Sequence, residues 1–315
     1  MKSHEVAANS GVTRDRAIKF IVNPVSGNGR TGRTLPYLVG LAKKLGIKFD
    51  LQLTKAPEHA TELANDCSDD FDVMVAVGGD GTVNEVATGA FKSQKIMGVI
   101  PTGTGNDFAR ALARLSDWIS SKRSLHDHLH RIMNGRAAPI DIASVHINSQ
   151  DFLFVNGVGV GFDAEVAKES QTVHRLKGLS KYLLSVAKTL SKYKSSLMRI
   201  ELDDRSIEQK TFLVAIGNGI SSGGGFLLTP HAVLDDGLLD ACIVSDVSLM
   251  KVLQVLPRVL NGTHEKYPEV KMTKTRQIKI LSEMPVLIHR DGEVSSERVN
   301  EVQVRIIPSA LKVTT

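Results

Sequence analysis

Three apolar segments in the first third of the chain each run directly into a loop rich in glycine and small polar residues. The segments are AIKFIV (17–22), FDVMVAV (71–77) and KIMGVI (95–100), and the loops after them span 23–32, 78–82 and 102–107. Helix-like segments separate them, and strands that alternate with helices favour a parallel sheet with helices on its faces. Because ligands bind beyond the carboxyl ends of the strands in such sheets, the three loops are predicted to meet at one site.

The residue types in these loops suit phosphate groups. Glycine lets backbone N–H groups approach a phosphate closely, and a helix that starts behind the loop adds partial positive charge. An aspartate beside a phosphate would repel it unless a divalent cation lies between them, so Asp80 and Asp107 are predicted as direct or water-mediated magnesium partners. Any one of these loops alone could instead be a tight turn. The chain has no GxxxxGK[ST] sequence, which excludes a P-loop.

Composition and charge narrow the class of protein. The chain has 315 residues, of which 42% are apolar and 23% charged, which is enough for about two globular domains. It shows no signal-peptide segment and no run of eighteen apolar residues, so a cytoplasmic protein is expected. Its two cysteines are too few for a disulfide framework. The net charge of +5 favours anionic partners, of which nucleic acid is the least favoured because aromatic residues make up only 5%.

The pattern changes after about residue 136. Short β-rich segments punctuated by Gly, Asp and Pro follow, among them DIASVHI, KTFLVAIGNG, LLDACIVS and VQVRIIP. These segments predict a second, mostly antiparallel domain that two helical stretches interrupt. The expected organisation is an α/β domain over 17–136, a β-rich domain over 137–308, and a tail over 309–315 that returns to the domain interface.

Two helical stretches carry charges that could bind a partner. Across 178–193 the apolar residues share one helix face, and Lys177, Lys181, Lys188 and Lys192 form a stripe opposite. Such a helix either lies on an anionic membrane or packs its apolar face on the second domain, and packing is the commoner case. In SLHDHLHR, His126 and His130 share a face, but a stable zinc site needs three or four ligands, so an exposed polar helix is expected.

Motifs in both halves of the chain are familiar when taken together. The first half contains IVNPVSGNGR, VAVGGDGTVNE and IPTGTGNDFARAL, and the second contains NGVGVGFDAEV, IGNG, GGGFLLTP, LDDGLLD and HRDGE. This set resembles the diacylglycerol kinase family, in its soluble bacterial lipid kinase branch, from Ile18 to Val304. GGDGT alone also occurs in NAD kinases and 6-phosphofructokinases. The resemblance implies a two-domain lipid-kinase fold similar to NAD kinase, with a parallel-rich nucleotide-binding domain and an antiparallel β-rich one.

The resemblance also implies roles for the matching residues. Asp291 would be the general base that accepts the proton of the lipid hydroxyl, and Glu293 would assist metal or phosphate positioning. RDGE read by itself favours a plain hairpin turn over a catalytic carboxylate, although a turn can also present a carboxylate. ATP would be bound by residues of all three loops, which are Asn23, Ser26, Gly27, Gly29, Gly78, Gly79, Gly81, Thr82, Thr102, Gly103, Thr104, Gly105 and Asn106.

Magnesium would occupy two places on the same resemblance. Asp80 and Asp107, along with Asp291 from the second domain, would belong to the catalytic magnesium network through water. A second, structural magnesium would bind the Asp236 carboxylate and the carbonyls of Val233 and Leu239.

Three classes of function stay open from the sequence. A lipid kinase would phosphorylate a membrane lipid hydroxyl, most simply that of diacylglycerol, with peripheral contact at the inner face of the membrane and no nucleic-acid partner. A relative of NAD kinase would phosphorylate a soluble small molecule, and a nucleotide-sensing protein would bind ATP without transfer. The acceptor lipid and the choice of ATP over GTP depend on pocket shape. A homodimer through an exposed sheet edge is a family expectation.

Overall fold

The computed structural model describes residues 16–115, 124–173 and 178–315. Its first part contains four strands and five helices in alternation. The strands are β1 (Ile18–Val22), β2 (Phe49–Leu53), β3 (Val73–Gly78) and β4 (Ile96–Pro101), and the helices are α1 (Ser26–Lys44), α2 (His59–Asn65), α3 (Asp80–Ser93), α4 (Asp107–Leu115) and α5 (Leu125–Asn134). The strands pair in parallel in the order β2-β1-β3-β4. The predicted parallel sheet is therefore confirmed.

Strands β3 and β4 are apolar on both faces because helices cover both faces of the sheet there. Along β3, Val75 points with Val73 and Val77 into a cluster that includes Leu38 of α1 and Leu129 of α5. Met74 and Ala76 point the other way, against α2 and α3. Successive side chains of a strand alternate between faces, so a strand buried on both sides reads as the continuous apolar run seen in the sequence.

Helix α1 begins earlier than its apolar periodicity predicts. Periodicity indicated a helix from Thr34 to Leu45, whereas the structure has helical turns from Ser26. Gly27, Asn28 and Gly29 lie in the left-handed region, with φ values of 60°, 56° and 75°, and they kink the first turn. Glycine adopts this conformation freely and asparagine tolerates it, so SGNG forms a kinked turn that periodicity alone cannot detect.

The second part of the chain is mostly antiparallel. Its strands are β5 (Ala137–Ile147), β6 (Gln150–Phe154), β7 (Gly157–Gly161), β8 (Ser196–Glu201), β9 (Ser206–Gly217), β10 (Leu239–Ser245), β11 (Val270–Thr275), β12 (Gln277–Val286), β13 (Ile288–Arg290), β14 (Glu293–Val294) and β15 (Val299–Thr314). The helices are α6 (Phe162–Thr172), α7 (Gly178–Leu190) and α8 (Leu249–Leu260), with a 3-10 turn at His264–Lys266. Every strand pair within this part is antiparallel.

Strand β15 links the two parts of the fold. It pairs antiparallel with β12 and β5, and its last residues run parallel to β4, with Lys312 opposite Ile96 and Val313 opposite Met97. Leu311 and Val313 are buried there, in the same apolar cluster as α3. The end of the chain thus completes the sheet of the first domain, where the sequence predicted only a tail at the interface.

The two helices with charged faces differ from each other. Helix α5 starts with a capping box, in which Ser124 and Asp127 satisfy each other's backbone N–H, and His126 and His130 on it are exposed. The described residues contain no group of three or more metal-ligating side chains.

Helix α7 ends at Leu190, and its Val186 is buried against the second domain. Leu183, expected on the packed face, is 42% exposed and Leu184 39%, so the packed face is narrower than predicted. The side chains of Leu179, Lys181 and Tyr182, and all of Lys177, lie outside the described residues. Within the described ranges, no helix is long and apolar enough to cross a membrane.

The position of Leu311 gives a stability prediction. Replacing Leu311 with alanine removes a side chain that is 1% exposed between β4, β5 and α3, so we expect the free energy of unfolding to fall by about 2–5 kcal/mol. Urea denaturation followed by circular dichroism measures this change. Lys312→Ala on the same strand is the control, because Lys312 is exposed. A loss below about 0.5 kcal/mol for Leu311→Ala would show that the end of the chain does not stabilise the first domain.

Candidate active site

The three glycine-rich loops lie in contact at the carboxyl ends of β1, β3 and β4. Asn23 follows β1, and its Nδ2 donates a hydrogen bond to Oγ1 of Thr82 at 3.1 Å. The N–H groups of Thr102 and Gly103, which follow β4, donate to the carbonyl of Gly78 at 2.8 and 3.1 Å. The three loops therefore form one continuous surface, in the place where open α/β sheets bind ligands.

Two of the glycines are required by the close approach of these loops. A Cβ on Gly103 would lie 2.4 Å from Cα of Gly79, and a Cβ on Gly27 would lie 2.3 Å from the carbonyl oxygen of Thr102. Both distances are far below van der Waals contact, so any side chain would separate the loops. Ser26 also lies at this contact, with Oγ 3.1 Å from the position that a Cβ of Gly79 would take.

Arg30 fixes the third loop from the first. Its guanidinium donates to the carbonyl of Thr102 at 2.7 Å and to that of Gly103 at 2.5 Å. The sequence prediction did not include Arg30, because it read the segment around it as a glycine-rich loop and not as the first turns of α1. The side chain of Thr104, beyond this clamp, is exposed and lines the cleft described below.

Asp80 lies at the start of α3 and caps the start of α4. Its Oδ2 accepts the N–H of Asn106 and its Oδ1 accepts the N–H of Asp107, both at 2.7 Å. A Cβ on Gly105 would lie 2.5 Å from Oδ2, so glycine is needed there too. Burial, and then the charge of Asp107, raise the pKa of Asp80 against the opposing effect of these N–H groups.

The carboxylate of Asp107, in the first domain, accepts hydrogen bonds from the second domain. Its Oδ1 accepts hydrogen bonds from Oγ of Ser221 at 2.7 Å and from Arg110 at 2.9 Å, and its Oδ2 accepts the N–H of Gly224 at 2.8 Å. Ser221 and Gly224 belong to the loop after β9, in the second domain. Ser221 lies between the motifs IGNG and GGGFLLTP and Gly224 lies within the second, but neither motif predicted a contact with Asp107.

The donor chemistry at Asp80 and Asp107 fits magnesium. Mg²⁺ prefers oxygen ligands, binds few carboxylates directly, and keeps several waters. The Asp80 carboxylate accepts the N–H groups of Asn106 and Asp107 at 2.7 Å and is also stabilised by the N–H of Phe108. A carboxylate has about four acceptor sites, so one remains for a cation or its bound water. A divalent cation would also relieve the repulsion from Asp107 that raises the pKa of Asp80.

The second predicted magnesium site fits a divalent cation less well. Oδ2 of Asp236 lies 2.5 Å from Nζ of Lys274, which also lies 3.3 Å from Asp240. The Lys274 ammonium thus already supplies positive charge to Asp236. Val233 is 40% exposed and Leu239 is buried at the start of β10. Magnesium at Val233, Asp236 and Leu239 stays a prediction, and no chemistry below depends on it.

Asp291 is buried, and the second domain holds it by three backbone N–H groups. Oδ1 accepts those of Asn156 and Gly157 at 3.1 and 2.7 Å, and Oδ2 accepts that of Val155 at 3.0 Å. Asp291 has a φ of 47°, in the left-handed region of a tight turn, so the turn itself aims the carboxylate inward. Burial raises the pKa of Asp291 to about 6, with a further contribution from the charge of Asp80. Oδ2, with one partner among the described residues, keeps a lone pair for another proton.

A buried aspartate and histidine pair lies beside Asp291. Nε2 of His289 lies 2.7 Å from Oδ2 of Asp163, and the two side chains are 3% and 8% exposed. Burial lowers the pKa of His289, but the Asp163 carboxylate outweighs it and raises that pKa overall. A Cβ on Gly159 would lie 2.3 Å from Nε2 of His289, so this glycine makes room for the pair. GFDAEV and HRDGE contain these residues, but only the pairing of β7 with β13 brings them together.

Glu293 reaches the first domain. Its Oε1 lies 3.3 Å from where a Cβ of Gly81 would be, at the start of α3, and its Oε2 accepts a hydrogen bond from Arg290 at 3.1 Å. Glu85, one turn further along α3, was not predicted. Its Oε2 accepts the N–H of Ala60 at 3.0 Å, and burial raises its pKa.

A polar cleft and an apolar slot share one wall. The cleft, of about 470 Å³, lies between the domains and is lined by four aspartates and one histidine, which are Asp80, Asp107, Asp163, Asp291 and His289. The slot, of about 70 Å³, lies under α8 and is lined mainly by apolar residues, among them Val186, Phe212, Leu228, Val252 and Val259. Asp163 lines both. A polar end and an apolar end of one ligand could therefore lie side by side.

Comparisons with known proteins agree with this arrangement. Residues 17–145 match the diacylglycerol kinase catalytic domain, and residues 156–315 match the YegS C-terminal NAD kinase beta sandwich-like domain. Among curated relatives, the diacylglycerol kinase of Staphylococcus saprophyticus is 31% identical over 284 residues, covering 89% of each chain. That of Bacillus subtilis is 29% identical over 280 residues, covering 87% of this chain and 89% of its own.

Solved structures share the fold. A crystal structure of a diacylglycerol kinase from Bacillus anthracis has a TM-score of 0.67 at 21% identity and covers 95% of this chain and 96% of its own. Another Bacillus anthracis structure reaches a TM-score of 0.73 at 24% identity, with the same coverage. Fold and site thus define a two-domain kinase with an NAD kinase-like second domain. The chain belongs to the diacylglycerol kinase family, and it is an ATP-dependent phosphotransferase with an alcohol acceptor.

The contact between the loops gives a binding prediction. Gly103→Ala would force the third loop away from Gly79 and disturb the surface that is predicted to bind the nucleotide, so we expect the Kd for ATP to rise at least about tenfold. Isothermal titration calorimetry with Mg-ATP measures this. Gly40→Ala is the matched control, because a Cβ at Gly40 has no atom within 4 Å. Unchanged ATP affinity in a folded Gly103→Ala protein would remove the loops from the nucleotide site.

Proposed function

We propose that this enzyme transfers the γ-phosphoryl group of magnesium-bound ATP to the hydroxyl of diacylglycerol, giving phosphatidic acid. The observation that supports it most is the shared wall of the cleft and the slot at Asp163. A lipid acceptor has a polar hydroxyl next to acyl chains, which matches a polar cleft next to an apolar slot. The slot's volume corresponds to about two waters, so a chain needs it to widen. The curated relatives that bear the name diacylglycerol kinase support the same acceptor.

The roles of the loops follow from their backbone. The N–H groups of Gly78 to Thr82 and of Thr102 to Asn106 would bind the phosphates of ATP, and Asn23 and Ser26 would contact the nucleotide from the first loop. Phosphoryl transfer has a transition state with charge spread over the phosphoryl oxygens, so fixed donors and correct positioning supply most of the catalysis. Magnesium bound near Asp80 and Asp107 would neutralise the phosphate charge.

Asp291 would accept the proton of the acceptor hydroxyl. Three backbone N–H groups hold its carboxylate, and Oδ2 keeps a lone pair toward the cleft. A pKa of about 6 leaves Asp291 ionised at neutral pH yet basic enough to take a proton. Glu293, at the start of α3, would keep the second domain in position over the phosphates. The enzyme would work in the cytoplasm, at the inner face of the membrane.

A transfer assay tests the acceptor. We expect labelled ATP with magnesium to label diacylglycerol in mixed micelles, and Asp291→Asn to lower the rate at least about a hundredfold, because an amide cannot accept the proton. The lipid panel includes phosphatidylglycerol, ceramide, a sphingoid base and monoacylglycerol, and NAD is the soluble control. Label in NADP would identify a soluble small-molecule kinase. Label in another lipid would change the acceptor and keep the reaction class.

The raised pKa of Asp291 gives a pH prediction. The base works only when ionised, so kcat/KM for the acceptor should rise as pH increases through about 6 and fall about tenfold per unit well below it. An ordinary aspartate, with a pKa of about 3.9, would leave the rate flat down to pH 5. Initial rates in mixed micelles from pH 5 to 8, with magnesium saturating throughout, measure the profile. A flat profile over this range would argue against Asp291 as the base.

A further inference from the structure

We infer that helix α8 (Leu249–Leu260) inserts into the surface of an anionic lipid bilayer. This inference rests on the proposed function, because a diacylglycerol acceptor resides in a bilayer and must reach the slot from there. The sequence analysis considered only the basic helix over 178–193 for such contact. The structure instead exposes four large apolar side chains on α8, against two on the described part of α7.

Helix α8 is apolar on two faces, and only one of them is packed. Val252, Val255, Leu256 and Val259 pack against the second domain in the cluster around Phe212. Four other apolar residues of α8 are exposed, at positions i, i+1, i+4 and i+11 of the helix. They are Leu249 (53% exposed), Met250 (74%), Leu253 (50%) and Leu260 (38%). A helix in a water-soluble domain ordinarily presents polar residues on its outer face, so a second apolar face needs a partner.

The exposed apolar residues are concentrated around the slot. Helices α7 and α8 pack on the same apolar cluster, and both contribute to the slot between them through Val186 and Val252. Together they carry six of the 13 large apolar side chains that are exposed among the described residues, because Leu183 and Leu184 of α7 add to the four on α8. Leu260, at the end of α8, also lines the cleft. The apolar surface is thus continuous with both parts of the proposed acceptor site.

The charges on these helices select the partner. Neither α7 nor α8 contains an aspartate or glutamate. Helix α7 contains Lys181 and Lys188 and α8 contains Lys251 and Arg258, of which Lys188 and Lys251 form ion pairs with Glu169 and Glu269 of neighbouring segments. Helices with apolar residues and only basic charges bind the interface of membranes that contain anionic lipids. A second copy of this chain would bring the same positive charges face to face, which disfavours a dimer through this surface.

Vesicle binding tests the inference without the reaction. The variant replaces Leu249, Met250 and Leu253 with glutamine. The control makes the same replacement at Leu45, Leu197 and Met284, which are exposed at 40–43% and lie at scattered positions. In co-sedimentation with vesicles of equal phosphatidylcholine and phosphatidylglycerol, without ATP, we expect the variant's partition coefficient to fall at least about tenfold. The control should bind like the wild type. All three proteins should have the same melting temperature within a few degrees.

Two activity measurements separate this inference from the proposed function. The α8 variant should lose phosphorylation of long-chain diacylglycerol in those vesicles, yet keep the wild-type rate on dihexanoylglycerol dissolved as monomers. A variant that binds vesicles like the wild type, or that loses activity equally on the soluble acceptor, overturns the inference. The inference is also overturned if light scattering shows that the variant only changes from dimer to monomer. A wild type that phosphorylates neither lipid contradicts the proposed function, while its vesicle binding still decides the role of α8.

Discussion

The hydrogen bonds of Asp107 connect the parts of this structure on which the site depends. Its backbone N–H donates to Asp80, and its carboxylate accepts from Ser221 and Gly224 of the second domain. Because the side chain is buried, each of these bonds lies in a low-dielectric environment, where it is stronger and costly to lose. One residue at the start of α4 therefore sets the distance between the phosphate-facing loops and the domain that carries Asp291.

The second domain contributes two buried carboxylates of its own to the cleft. Asp291 is held by the backbone of 155–157, and Asp163 by His289, so both are fixed by neighbours within that domain. The left-handed turn at Asp291 and the missing side chain at Gly159 are the local features that permit these positions. The second domain thus positions two carboxylates with its own residues, and its contacts with Asp107 bring them into one cleft with Asp80 and Asp107.

The parts of this arrangement that the sequence predicts are those with a local signal. Apolar runs that end in glycine indicate the parallel strands and their loops, and alternating segments after residue 136 indicate the antiparallel domain. What the sequence misses depends on long-range pairing. Nothing near Leu311 indicates that β15 joins β4, and Asp163 meets His289 only because β7 pairs with β13. The kink at Gly27 to Gly29 also hides the start of α1 and the clamp that Arg30 forms.

The charge of the cleft differs in sign from that of the chain. The protein carries a net charge of +5, yet the residues that line the cleft in the described part of the chain include four aspartates, one histidine and neither lysine nor arginine. Bare polyphosphate would be repelled by this wall, and burial raises the pKa of Asp80 and of Asp291, which makes these two aspartates costly to ionise. A divalent cation bound to the nucleotide would reduce both the repulsion between phosphate and aspartate and the cost of ionising the buried aspartates. An acidic cleft of this kind would favour the metal complex of the nucleotide, whereas α7 and α8 carry basic residues and no acidic ones.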